Sequence, residues 1–148
     1  NYLTSLPSSY ITQEALFVHG SPRNHLYDYM VPEDIYNPKK MSEVGPLFNS
    51  LCFCGHTHIP GIFRQKNPGD GWEWIALEDC NCQHFFNENE GKLICNVGSV
   101  GQPRDQDPRS CYVLFAPGII TFRRVPYDIN RTIQKIREMT RLGRPAGL

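Results

Sequence analysis

A strand-like apolar run ending in Gly-His-x-His constrains this chain more than any other feature. Residues 51–63, "LCFCGHTHIPGIF", pass from an apolar stretch through Gly55 to His56 and His58, then re-enter an apolar stretch at Gly61. Short apolar runs bounded by glycine read as buried strands. One strand therefore delivers two imidazoles into a loop, and the next strand leaves it. The same pattern recurs on either side. "ALFVH" (15–19) stops at His19 before "GSP", and "KLICNVGSV" runs into the polar loop "GQPRDQDPRS". Histidines projecting from separate strand tips into one shared pocket are the expected consequence.

The rest of the chain supports a mixed architecture. Residues 21–40 hold Pro22, Pro32 and Pro38 and read as a long ordered loop with a helical turn, while "MSEVGPLFNS" reads as a short helix with Ser42 as N-cap, limited by Gly45 and Pro46. "GIFRQK" and "WEWIAL" flank the turn "NPGDG" and form a hairpin with Trp72, Trp74 and Ala76 on one side. "CYVLFA" and "IITFRRV" form a second hairpin through Pro117 and Gly118. Asp128 then caps a final helix with Ile129, Ile133 and Ile136 on one stripe and Arg131, Lys135 and Arg141 largely outside, ended by "GRPAGL".

Composition narrows the function classes. A length of 148 residues with 40% hydrophobic content suits one domain, 1–148, with a real core. Fifteen basic and fifteen acidic residues cancel, so no global field recruits nucleic acid or an anionic membrane. No apolar run approaches the roughly 18 residues of a membrane span, and "NYLTSLPSSY" lacks the pattern of a signal peptide. The six cysteines, among them the Cys52/Cys54 and Cys80/Cys82 pairs, are expected to be reduced, which places the protein in the cytoplasm. Beginning at Asn1, the chain is expected to be part of a longer product.

Neutral imidazole is the commonest side-chain ligand for zinc, manganese or iron, and a neighbouring glycine lets the backbone aim the ring. His19, His56 and His58 are therefore candidate metal ligands; the competing assignment for each is a surface or hydrogen-bonded core histidine. Cys80, Cys82 and His84 offer a softer zinc site, although their Cys-x-Cys spacing is not that of a zinc finger. Cys52 and Cys54 alternate with Phe53 and read as core.

"FVHGSPR", "GHTH" and "NVGSVGQPRDQDPRSCYVLF", followed by "RRVPYDI" and the last helix, occur in an order that resembles the calcineurin-like metallophosphoesterases, specifically their small bacterial and archaeal phosphodiesterase branch. The resemblance runs from about Leu3 to Leu142. It implies an α/β sandwich of two mixed sheets flanked by helices, of which this chain supplies the C-terminal half as one sheet and its flanking helix. It also implies phosphomonoester or phosphodiester hydrolysis by a hydroxide held between two divalent ions (Mn, Fe, Zn or Ni) roughly 3.5–4 Å apart. His19 and His56 would serve one ion and His58 the other. The family's opening Asp-x-His and its Gly-Asn-His are absent, and the Gly-Asp at Gly69–Asp70 follows "GHTH" instead of preceding it. The general-acid histidine is missing with them, so no catalytic residue is assigned. Three neutral imidazoles cannot neutralise two dications; weak, partial metal binding and no useful turnover are expected of this polypeptide alone.

On the substrate side, Asn96, Gly98 and Ser99 stand at a strand end where backbone N–H groups can meet phosphate oxygens, and Arg104 can give a bidentate contact. Turn chemistry is the alternative for Asn96, and a salt bridge to Asp105 or Asp107 the alternative for Arg104. Arg23 and His25 are either rim residues or plain loop residues. The expected partners are a phosphate ester and either the missing N-terminal half or a second copy covering an exposed sheet face. A non-catalytic interaction scaffold, for which the retromer's phosphoesterase-like subunit is the parallel, is the alternative to an enzyme; a small zinc module built on the cysteines is a third.

Overall fold

Strands whose residues are apolar on both faces require cover on both faces, and that requirement organises the molecule. A computed structural model describes residues 2–67, 69–78, 82–87, 89 and 91–141. In chain order the elements are β1 (Ser9–Ile11), β2 (Ala15–Val18), α1 (Pro38–Val44), β3 (Leu51–Cys54), β4 (Gly61–Gln65), β5 (Glu73–Ala76), β6 (Gln83–Phe85), β7 (Lys92–Asn96), β8 (Ser110–Ala116), β9 (Ile119–Val125) and α2 (Ile129–Arg141). They form a six-stranded mixed sheet, ordered β1-β2-β3-β7-β4-β5, and a three-stranded antiparallel sheet, ordered β6-β9-β8.

At the centre of the large sheet, β2, β3 and β7 run parallel. Their registers pair Phe17 with Phe53 and Cys54 with Asn96, so the C-terminal ends lie side by side. Alternation along β3 and β7 then divides the core. Leu51, Phe53, Leu93 and Cys95 meet Ile120, Phe122 and Cys111 of the small sheet. Cys52, Cys54 and Ile94 face the other way, onto Met41 and Val44 of α1 and onto Met30, Phe48 and Trp72. Cys52 and Cys54 are core residues as expected, and burial pushes the Cys54 thiol up to about 12.

Both expected hairpins form: β4 pairs antiparallel with β5, and β8 with β9. Trp72 and Trp74 pack on the α1 side, whereas Ile75 turns to the small sheet. Two expectations need correction. The chain contributes strands to two sheets, not one, because the β8–β9 hairpin takes β6 as its third strand and packs face to face on the large sheet. Helix α1 begins earlier than expected. Asn37, not Ser42, is its N-cap, accepting from the Lys40 amide at 3.1 Å. Pro38 favours this start, since its fixed φ suits the first helical position and its missing N–H costs nothing there. Ser42 lies within the helix and donates to the Lys39 carbonyl. The Arg131 amide donates to Asp128 at the start of α2, as the capping expectation requires. Segment "GRPAGL" lies outside the described residues. No described helix is long and apolar enough to cross a membrane.

Candidate metal centre

His19 follows β2 directly, and its backbone is held from both sides. Its N–H donates to the His25 carbonyl at 3.0 Å, and its carbonyl accepts from the Gly55 amide at 3.0 Å. The loop after it folds back so closely that a Cβ on Gly20 would stand 2.6 Å from the Asn24 carbonyl oxygen. Glycine is therefore required at that position. His25 contributes through its main chain, and Arg23 is committed to Asp28 and Glu43 at 3.1 and 2.6 Å.

After β3 the backbone enters the left-handed region at both His56 (φ 64°) and His58 (φ 63°). Such conformations are uncommon outside glycine and persist only where surrounding contacts hold them. The holding contacts centre on Thr57 and Asn96, both buried. The Asn96 Nδ2 donates to the Gly55 carbonyl at 3.0 Å and to the Thr57 hydroxyl at 2.6 Å, while its Oδ1 accepts from the Gly98 amide at 3.1 Å. Thr57 is thereby drawn into the sheet end, which leaves the flanking histidines on the surface.

His19 and His56 meet. His19 Nε2 lies 2.9 Å from His56 Nδ1, with the ring centroids 4.6 Å apart and the planes inclined at 61°. Burial, then the neighbouring His56 and His58, push the His19 pKa down and favour the neutral ring that ligates metals. His58 Nδ1 donates to the Gln102 carbonyl at 2.7 Å, an arrangement that fixes the tautomer and leaves Nε2 as the acceptor. All three rings border one cleft of about 480 Å³, walled by Phe17 and Phe53 of the large sheet and Val113 of the small one.

These donors can be tested against a cation directly. Two nitrogens each about 2.0–2.1 Å from a shared ion stand roughly 2.9–3.4 Å apart. The facing nitrogens of His19 and His56 already have that separation, so this pair fits one ion. Among the described residues no group of three or more His, Cys, Asp or Glu converges closely enough to complete a site. Cys80 of the softer candidate site lies outside the described residues, and His84 borders a different cleft with Arg64 and Lys66.

The expected phosphate contacts divide. Asn96 is correctly placed at the strand end, yet its buried side chain serves the loop, and the Gly98 N–H is spent on that same side chain. Both act as loop supports in this structure, because a buried amide is satisfied within the protein first. A Cβ on Gly98 would stand 2.9 Å from Cys111, so glycine is needed for packing and for its φ of 77°. The Ser99 hydroxyl accepts from the Gln102 amide at 2.9 Å and shapes the next turn. Arg104 is exposed and tied to the site through its backbone N–H, which donates to the His58 carbonyl at 3.3 Å. Asp105 pairs with Arg124 and Asp107 with Arg109, so neither expected carboxylate takes Arg104. Residue-by-residue reading missed Thr57, Gln102 and Tyr29, whose ring stacks on His56; Thr57 alone had a local signal, its place inside "GHTH".

No family model matches the chain. It is 35% identical to a metallophosphoesterase from Sphaerobacter thermophilus of known crystal structure, with a TM-score of 0.72 over 98% of this chain and 56% of that one. It is also 28% identical over 130 residues to an uncharacterized protein of Methanocaldococcus jannaschii, covering 84% of this chain and 46% of the relative. The chain thus spans about half the length of each. Over almost its whole extent the chain is similar in sequence and backbone to a metallophosphoesterase, which supports the resemblance to the calcineurin-like superfamily.

Proposed function

We propose that this chain carries the histidine half of a divalent-metal-dependent phosphoesterase centre. The observation that carries the reading is the facing of His19 Nε2 and His56 Nδ1 at 2.9 Å, with His58 on the same cleft. His19 and His56 would hold one ion, and His58, through Nε2, a second. Divalent ions of the Mn, Fe, Zn or Ni type supply electrostatic stabilisation at phosphoryl oxygens. Within the chain, the Gln102 carbonyl keeps the His58 proton on Nδ1, and Asn96 with Thr57 holds the loop that aims both rings. Exposed Arg104, tethered to His58 through its backbone N–H, would pair with a phosphate oxygen of the ester.

The missing negative charge has to come from elsewhere. A segment supplying carboxylates fits the open side of the cleft, where β8 pairs with β9 on one edge only among the described strands. The five described cysteines carry free thiols, which suits a reducing compartment such as the cytoplasm.

The test is metal binding and hydrolysis of bis-p-nitrophenyl phosphate by the complete polypeptide containing this chain. Manganese-stimulated turnover, lost in His56→Ala by at least about 100-fold, supports the reading. Wild-type protein that binds no Mn²⁺ and shows no turnover sinks it in favour of a scaffold.

A further inference from the structure

We propose that Tyr29 is a positioning residue whose ring fixes the plane of the His56 imidazole; the proposal rests on the reading of His56 as a metal ligand. The two rings are stacked, with centroids 4.2 Å apart and planes 26° from parallel. Tyr29 is nevertheless 49% exposed, so simple burial does not account for its placement. Its contact with His56 is a surface contact, made over a candidate ligand.

The surrounding network shows that this placement is enforced. The Tyr29 carbonyl accepts from Lys40 Nζ, which is also paired with Asp34 at 2.6 Å. Asp34 is buried and accepts from the Val31 amide at 2.8 Å. On the other flank, the Asp28 carboxylate accepts from the Ser21 hydroxyl at 2.6 Å and pairs with Arg23. Met30, 1% exposed, is sunk in the core against α1. Four consecutive residues, 28–31, are therefore pinned, and the one left at the surface lies on His56.

His56 needs such a partner. It sits on a left-handed loop, and its described in-plane contact is with His19. A cation entering between those rings needs a lone pair on each facing nitrogen and displaces the proton shared between them, so the His19 hydrogen bond cannot orient His56 during capture. A stack on the ring face uses no nitrogen and persists through ligation. It restricts rotation of the imidazole and keeps Nδ1 directed at His19, the form of preorganisation on which ligand sites depend.

The experiment combines a metal-free and a metal-bound readout on the full chain. Without metal, the wild type should show an NOE between the Tyr29 and His56 rings and a ring-current shift of the His56 protons. Tyr29→Leu should abolish that shift and weaken Mn²⁺ binding, followed by EPR, about 2- to 10-fold. Tyr29→Phe, which keeps the ring face, should restore both to within about twofold of wild type. Lys40→Met, which releases the Tyr29 carbonyl, should move the His56 signal in the same direction as Tyr29→Leu. The proposal is overturned by a wild-type spectrum without the inter-ring NOE, by a Leu variant that leaves shift and affinity unchanged, or by a Phe variant as impaired as Leu. If the wild type binds Mn²⁺ no better than His56→Ala, the metal reading falls while the metal-free spectra still decide the stack.

Discussion

Asn96 shows how one side chain can build a site without touching what binds there. Its amide satisfies the Gly55 carbonyl, the Thr57 hydroxyl and the Gly98 N–H at once. Alanine leaves these three groups buried or half-buried with partners removed. Asn96→Ala should therefore destabilise the protein by about 2–3 kcal/mol in urea unfolding, well above a neutral substitution. It should also release the left-handed geometry of His56 and His58, visible as altered imidazole signals. Stability within about 0.5 kcal/mol of wild type would remove Asn96 from this role. At this scale the sequence was partly legible. Glycine beside histidine after an apolar run marked His19, His56 and His58, because strand ends are punctuated locally. For Asn96 the same local pattern left turn chemistry and phosphate contact equally open, since only its burial separates them. Tyr29 had no signal at all: its stack on His56 joins two distant loops.

Helix α1 carries the second lesson. "MSEV" offers a serine followed by a glutamate and an apolar residue, which reads as a helix start, but Asn37-Pro38 is the stronger one. Asparagine accepts from a free amide of the first turn, and proline enters with its φ already set. Asn37→Ala should cost about 1 kcal/mol and lower the thermal midpoint measurably. Ser42→Ala, which removes a hydroxyl bonded back to the Lys39 carbonyl, should lie within about 0.5 kcal/mol of wild type. The reverse ranking in thermal melts would restore Ser42 as the cap. Hairpins were readable because their partners are adjacent and their turns are marked by glycine and proline. The parallel alignment of β2, β3 and β7 was implied only through their polar tips, and β6 escaped because a three-residue strand shows no period. Its pairing with β9 is decided by sequence-distant contacts that no local pattern contains.

At the scale of the whole molecule, the open side of β8 links the fold to the unfinished site. The Cys111 amide donates to the Ser99 carbonyl, away from β9. In an antiparallel pair, residues alternate between facing the partner and facing outward, so Val113 and Phe115 present their amides to the same outer side. That side adjoins the cleft shared by His19, His56 and His58, whose wall includes Val113. A strand added there would cover the edge, bury the aromatic floor formed by Phe17, Phe53 and Phe115, and bring its own tip close to the histidines. The two relatives of this chain are about twice its length, so a longer polypeptide containing this chain would have the material to supply one. In this chain alone the amides of Val113 and Phe115 should exchange with solvent far faster than their neighbours Tyr112 and Leu114, which face β9. In the complete polypeptide all four should be protected alike, and Mn²⁺ affinity should rise with that protection as carboxylates join the imidazoles. Hydrogen exchange resolved by residue gives the answer. Equal, rapid exchange of Val113 and Phe115 in both proteins means that β8 is a true edge and that the missing charge reaches the histidines by another route.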